Sequence, residues 1–339
     1  MNEWGPRVDT RPEVLAGPVP RGRSGLRCAS FALCFFGVAP LPAQVTLPPS
    51  PLVAERQTSE VHDAELRFVT RKVDGRPPTE PAWSSARVGD RLPKSGGVRT
   101  HEKSFAELIL ASGGRVVVGE SSQIVLLDAG AAAGPGRSSF ELVTGQADVT
   151  TPPGAPRDSE IEVVAGEVRF RAHPGPRGGL LARARRTPTV VMFSVFEGEG
   201  EVTAGPSRIA LTQGRGTNLP KGATTAPVEN LLPAPLPSAP ALGAALDHAN
   251  PRFFWDSIPG AASYTVEVCR DAACTQLIDR IEGITGGEWA SPGLPLGELH
   301  WRVTAVARSG VDGVPSATVS FAVRSLWRRS LEKRGASLG

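Results

Sequence analysis

Short stretches of alternating apolar and polar residues, each closed by glycine or proline, run through most of this chain. Glu65-Leu66-Arg67-Phe68-Val69 alternates at period two, as does part of Ser104–Leu110, the pattern of a strand with one buried face. Gly113-Gly114 turns that segment into Arg115–Gly119. Further strands are predicted at 123–127, 139–143, 146–150, 161–164, 167–172, 189–196, 200–204 and 208–211, several joined by a turn glycine: Gly145, Gly166, Gly198 and Gly205. No amphipathic pattern of four helical turns interrupts them. Pro227, Pro233, Pro235, Pro237 and Pro240 then follow between Pro220 and Pro251, which predicts a semi-rigid spacer. Beyond it, 253–255, 264–269, 276–281, 300–307 and 316–323 read as strands of a small β-sandwich. In 264–269, Tyr264, Val266 and Val268 share one face, while Thr265, Glu267 and Cys269 share the other, predicted wet, face.

Composition agrees with many short strands. The 339 residues include 38 Gly and 32 Pro, about a fifth of the chain against a usual ~12%, while 40% apolar residues are too many for a disordered chain. Net charge is +3, but the bases concentrate at the two ends and 44–323 is mildly acidic, which excludes a nucleic-acid-binding surface built on a basic patch. Residues 28–39 form an apolar run after Arg21, Arg23 and Arg27 and before Leu41-Pro42-Ala43, the order of a secretory signal cleaved after Ala43. An uncleaved membrane anchor over 28–43 is the alternative. The predicted organisation is therefore an export segment 1–43, a linker 44–63, a β domain 64–220, a Pro-rich linker 221–250, a sandwich 251–324 and a basic tail 325–339.

Candidate chemistry is sparse. The five histidines are dispersed, and no motif for zinc hydrolysis, a serine nucleophile or a phosphate loop occurs. No cofactor, metal or catalytic residue is predicted. Cys269 and Cys274 flank a four-residue loop and suit a disulfide across a hairpin, with two buried thiols as the alternative. Glu197, Glu199 and Glu201 alternate as a solvated face would, although paired carboxylates also serve glycan hydrolysis. Gln213-Gly214-Arg215-Gly216 reads as a turn. Arg183, Arg185 and Arg186 cluster in a Gly/Ala/Arg-rich segment predicted as a solvated loop, with contact to an anionic partner as the functional reading.

Ordered strings add a resemblance. Val88-Gly89-Asp90-Arg91-Leu92, Val98-Arg99-Thr100, Ser104-Phe105-Ala106-Glu107-Leu108, Gly113 and Gly119-Glu120-Ser121-Ser122-Gln123-Ile124 resemble the FecR domain of bacterial envelope proteins. Val195-Phe196-Glu197-Gly198 and Ala210–Gly216 look like its end, so the likeness spans about 64–220. One departure is Gly166-Glu167-Val168-Arg169-Phe170, where the family's threonine after the glycine is missing. Phe254-Trp255-Asp256, Pro259–Val268 and Trp301–Val306 resemble a fibronectin type III domain, with Trp255 filling the core and Leu299 standing where such domains often place a corner tyrosine. The resemblance implies an all-β protein: a FecR-type domain of twisted sheets or a short solenoid, joined to a β-sandwich. It also implies a non-enzymatic binding or scaffolding protein of the periplasm or cell surface, whose partner is an envelope protein or cell-wall glycan. The alternatives are an inner-membrane-anchored FecR-type signalling regulator of anti-sigma kind and a glycan-acting envelope enzyme. The regulator is disfavoured because residues before the apolar run show no helical periodicity.

Overall fold

The alternating segments pair into sheets throughout. The computed structural model describes residues 63–128, 136–152, 154–248 and 250–324, which fall within one unit, Thr58–Gly339. The export segment, the linker up to His62 and the tail 325–339 lie outside the described residues. The described residues are all-β, and none forms a helix long and apolar enough to cross a membrane.

The first module begins with β1 (Ala64–Thr70), β2 (Val73–Arg76), β3 (Ser84–Ser85), β4 (Arg91–Leu92), β5 (Gly97–Thr100) and β6 (Phe105–Leu110). It continues with β7 (Arg115–Val118), β8 (Gln123–Leu127), β9 (Arg137–Thr151), β10 (Glu160–Ala165), β11 (Val168–His173) and β12 (Leu180–Arg186). It ends with β13 (Val190–Glu197), β14 (Glu199–Ala204), β15 (Ser207–Thr212), β16 (Arg215–Pro220) and β17 (Val228–Asn230). The second module has β18 (Pro237–Ala239), β19 (Ala244–Leu246), β20 (Arg252–Trp255) and β21 (Ala261–Cys269). Its remaining strands are β22 (Leu277–Ile284), β23 (Glu288–Ala290), β24 (Gly297–Ala307) and β25 (Val319–Val323).

Two sheets face each other in the first module. One runs β4-β1-β6-β7-β9-β12-β13-β16-β17, entirely antiparallel. The other runs β3-β2-β5-β8-β9-β10-β11-β14-β15, with β9 and β10 parallel. Strand β9 belongs to both, so the predicted pair 139–143 and 146–150 is a single strand. Gly145 is not a hairpin turn but the corner where β9 passes between sheets. Its φ is +87°, and a Cβ would collide with Ser122, so a left-handed backbone without a side chain is required there. Gly166, Gly198 and Gly205 do occupy turns, and Gly198 separates Glu197 on β13 from Glu199 and Glu201 on β14.

The FecR-like strings build the frame around that corner. Thr100 Oγ1 donates to the Gly119 carbonyl at 2.5 Å and accepts the Ser122 N–H at 2.9 Å. Ser122 Oγ accepts the Gln146 N–H at 2.9 Å. A threonine, a glycine and a late serine thus satisfy buried backbone groups where the ladders are interrupted. The interior between the sheets is apolar, with Leu108, Ile124, Phe140, Leu142, Phe170 and Phe193 buried and Phe170 stacked on Phe193 at 4.7 Å.

The second module is a sandwich of a five-stranded sheet, β19-β25-β24-β21-β22, and a three-stranded sheet, β18-β20-β23. Trp255 lies in its core as predicted, with Phe253, Trp301, Val303 and Ala305. Leu299 is buried there too, and the Tyr264 hydroxyl accepts the Ile258 N–H at 2.6 Å. The Pro-rich stretch predicted as a spacer is stitched to both modules instead. Strand β17 pairs with β16, β18 with β20, and β19 with β25, while Trp301 Nε1 donates to the Pro240 carbonyl at 3.2 Å. Pro237 fits in β18 because that strand is a short sheet edge.

Candidate functional site

The β6–β7–β9–β12–β13 sheet has two buried faces, and the second is covered by the β24–β21–β22 sheet of the sandwich. Along β12, Ala182 and Ala184 point into the apolar interior, whereas Arg183 and Arg185 point toward the second module. Along β21, Val266 and Val268 fill the sandwich core, whereas Glu267 and Cys269 face the first module. The predicted wet face of β21 is therefore dry: Glu267 and Cys269 are both 0% exposed. The predicted solvated loop at 183–186 is a strand for the same reason, and Arg183 is 1% exposed.

Arg183 grips Asp148 with two hydrogen bonds of 2.7 Å, from Nε and Nη2, and Nη2 also reaches Glu267 Oε1 at 3.1 Å. Glu267 Oε2 accepts Arg302 Nε at 2.5 Å, and its Oε1 lies 3.2 Å from Arg280 Nη1. Arg280 Nε and Arg185 Nη2 each stand 3.0 Å from Glu282 Oε1. Asp312 lies 3.6 Å from Arg183 and 3.5 Å from Arg185. Gln146 bridges Asp148 and Arg185. Four guanidiniums and four carboxylates thus balance within the seam, which is what burial of charge demands.

The charges respond to one another. Burial pushes the Glu267 carboxyl up, but Arg302, Arg183 and Arg280 outweigh it and hold it well below the usual carboxylate range. Glu282 is lowered in the same way, with Arg280 and Arg185 overcoming burial. Burial pushes the Arg183 guanidinium down, yet Asp148, Glu267 and Asp312 more than reverse it and hold it well above its usual value. Arg280 goes the other way. Burial and the like charge of Arg183 lower it despite Glu267 and Glu282.

Apolar contacts flank this network. Phe105 and Val117 of the first module meet Leu277 and the Cys269–Cys274 disulfide on one side. Phe196 and Leu231 meet Val311 on the other. Direct polar links add to them, including Thr70 Oγ1 to the Leu277 carbonyl at 2.6 Å and Asn218 Nδ2 to the Ser309 carbonyl at 2.6 Å.

Two openings adjoin the arginine strand. A pocket of about 910 Å³ lies at one end of the first module, among the turns after β10, β12, β14 and β16. Val143, Val168, Val191 and Leu219 contribute apolar walls, with Arg186, Lys221 and Glu167 as charged lining. A smaller crevice of about 200 Å³ opens at the seam between Arg185, Arg186, Arg280 and Glu282. The three predicted arginines therefore part company: Arg183 is internal, Arg185 lines the crevice, and Arg186 lines both openings.

Glu197 and Glu199 border a separate hollow of about 350 Å³ with Arg177 and Gln213. Glu199 lies 3.5 Å from His173, and Glu201 pairs across the sheet with Arg171. Among the described residues no group of three or more His, Cys, Asp or Glu could hold a metal ion. Sequence reasoning missed Asp148, Arg280, Arg302 and Asp312. For Asp148 and Arg302 the signal is a single charge in the middle of an apolar strand, Ala147-Asp148-Val149 and Trp301-Arg302-Val303. Arg280 beside Asp279 and Asp312 outside the strands carry no such signal.

No protein-family model matches the chain, and no characterised protein does. Among solved structures, a candidate anti-sigma factor from Parabacteroides distasonis is 13% identical over 40% of this chain and 59% of its own, with a TM-score of 0.33. The chain thus spans about three-fifths of that protein's length. An Fn3-like protein from Clostridium thermocellum is 24% identical over 29% of this chain and 98% of its own, with a TM-score of 0.24. The extracellular domain of a candidate one-component system from B. thetaiotaomicron is 10% identical over 66% of this chain and 42% of its own, with a TM-score of 0.21.

Proposed function

We propose that this is an exported, non-catalytic binding protein of the bacterial cell envelope. Its FecR-like first module takes an envelope protein or cell-wall glycan at its open end, and its fibronectin type III-like second module braces that module from the side. The observation that carries this reading is the 910 Å³ end pocket, whose apolar walls and cationic Arg186 and Lys221 suit a partly apolar, acidic group. The disulfide supports an oxidising compartment. The sequence of 1–43 supports removal of the export segment.

The test is capture from envelope extracts, with and without peptidoglycan digestion, by the mature protein and by Thr224→Trp, which obstructs the pocket at an exposed lining position. The variant should retain at least tenfold less partner. Equal retention would move the binding surface elsewhere. Mass spectrometry of the native N-terminus tests export separately: a start at residue 44 is expected, and an intact Met1 in the membrane fraction would favour the anchored regulator.

A further inference from the structure

The seam crevice supports an inference independent of the end pocket. Three guanidiniums line it, from Arg185, Arg186 and Arg280, with Glu282 among them. Arg185 also donates to Gln146 at 2.9 Å, and Arg186 to the Leu142 carbonyl at 2.9 Å, with Glu141 at 3.4 Å. The other acidic lining residue, Glu120, is already engaged: its carboxylate accepts the Lys103 N–H at 2.8 Å. Glu282 is divided, because the same Oε1 stands 3.0 Å from both Arg185 and Arg280.

Arg280 is the under-served member of the group. Its side chain is 1% exposed, and none of its three side-chain nitrogens makes a hydrogen bond. Nε and Nη1 lie at ion-pair distance from Glu282 and Glu267 without hydrogen-bond alignment, and Nη2 has no acceptor at all. Buried donors left in this state are costly and rare in folded proteins. Every other buried arginine of the seam has at least one aligned carboxylate. Burial and the charge of Arg183 also push the Arg280 guanidinium down, despite Glu267 and Glu282.

We propose that the crevice is a binding site for a compact phosphate-type oxyanion, held between Arg280, Arg185 and Arg186 at the junction of the two modules. Guanidinium forks match the oxygens of phosphate in pairs, and a dianion supplies the aligned acceptors that Arg280 lacks. The crevice volume of about 200 Å³ admits such an ion together with water. Because residues of both modules hold it, the bound anion also fastens the second module to the first.

Calorimetric titration of the mature protein with inorganic phosphate, against chloride at equal ionic strength, tests this. Saturable one-to-one binding of phosphate alone is expected, with a rise in melting temperature. Arg280→Lys risks disturbing the seam, so the deciding variants lie at its partly exposed edge. Arg186→Gln should weaken phosphate about tenfold, whereas Lys221→Gln, which alters only the end pocket, should leave it unchanged. Glu282→Gln, which removes the competing carboxylate, should tighten it several-fold, an effect of opposite sign to any damage to the fold. A second titration with glycerol 3-phosphate assigns the source: equal binding points to a phosphomonoester of a lipid or wall polymer, and binding of inorganic phosphate only points to the free ion. Identical responses to phosphate and chloride would overturn the proposal, as would Glu282→Gln leaving phosphate affinity unchanged or weaker.

Discussion

Two interiors of this molecule are chemically opposite, the first dry throughout and the second buried except near Arg185 and Glu282. Between the two sheets of the first module, Phe140, Phe170 and Phe193 pack with aliphatic neighbours. Between that module and the sandwich, four arginines meet four carboxylates. The same strands serve both, so β12 presents alanines to one side and arginines to the other. The apolar interior is held by non-directional burial, which tolerates any well-shaped neighbour. The charged one is directional: Arg183 reaches Glu267 and Asp312, and Arg185 reaches Glu282 and Asp312, only when the modules sit in one register. Replacing a buried charge network by apolar residues is often neutral for stability, so the second interior is expected to set the docking register more than the net stability.

The largest effects should come from breaking each interior once. Phe193→Ala removes the stack on Phe170 and opens a cavity, with an expected loss of about 3–5 kcal/mol. Glu267→Ala leaves Arg183, Arg280 and Arg302 short of a carboxylate and should cost about as much, again about 3–5 kcal/mol. Denaturant unfolding measures both. The pair differs in rescue: adding Arg302→Met to Glu267→Ala should recover part of the loss, whereas no second truncation should rescue Phe193→Ala.

Acid should separate the two interiors next. The folded-state carboxyls of Glu267 and Glu282 are held below their ordinary value, so their contribution is complete above the unfolded glutamate pKa of about 4.3. It is lost as pH falls through the lower folded values. Unfolding midpoints followed downward from pH 7 should hold until about pH 4 and then drop. A variant lacking Glu267 should show a shallower drop, and Phe193→Ala the full one.

Smaller effects sharpen the comparison at its edges. Cys269→Ala with Cys274→Ala should cost about 2 kcal/mol, the ring being short, plus lost contact with Phe105 and Val117. Thr100→Val removes a bond to the Gly119 carbonyl and the acceptor for the Ser122 N–H, worth about 1–3 kcal/mol. Thermal melts should place these two variants between the wild type and Glu267→Ala.

Much of the strand content was legible, because alternation marks a strand wherever one face is apolar. Gln123–Leu127 is predicted and observed with the same bounds. Alternation does not say what covers the polar face, so Glu267 and Cys269 were assigned to water when they belong to the seam. The arginine strand was hidden for a related reason. Leu180–Arg186 alternates, but alanine and arginine have weak strand preference, and glycines and prolines before it read as a loop. Gly145 has the same left-handed backbone as the turn glycines; the pairing of β9 with one sheet before it and the other after it distinguishes a corner from a hairpin. Of the candidate site, the sequence showed the arginines but not their partners, which arrive from 35 to more than 100 residues away.

The charged seam should make the two modules into one folding unit. Scanning calorimetry of the mature protein and of Glu267→Ala at pH 7 tests it most directly. The account predicts one transition for the wild type, with calorimetric and van't Hoff enthalpies in agreement, and two separated transitions for the variant. Two transitions already present in the wild type, or a variant that melts as one unit, would contradict it.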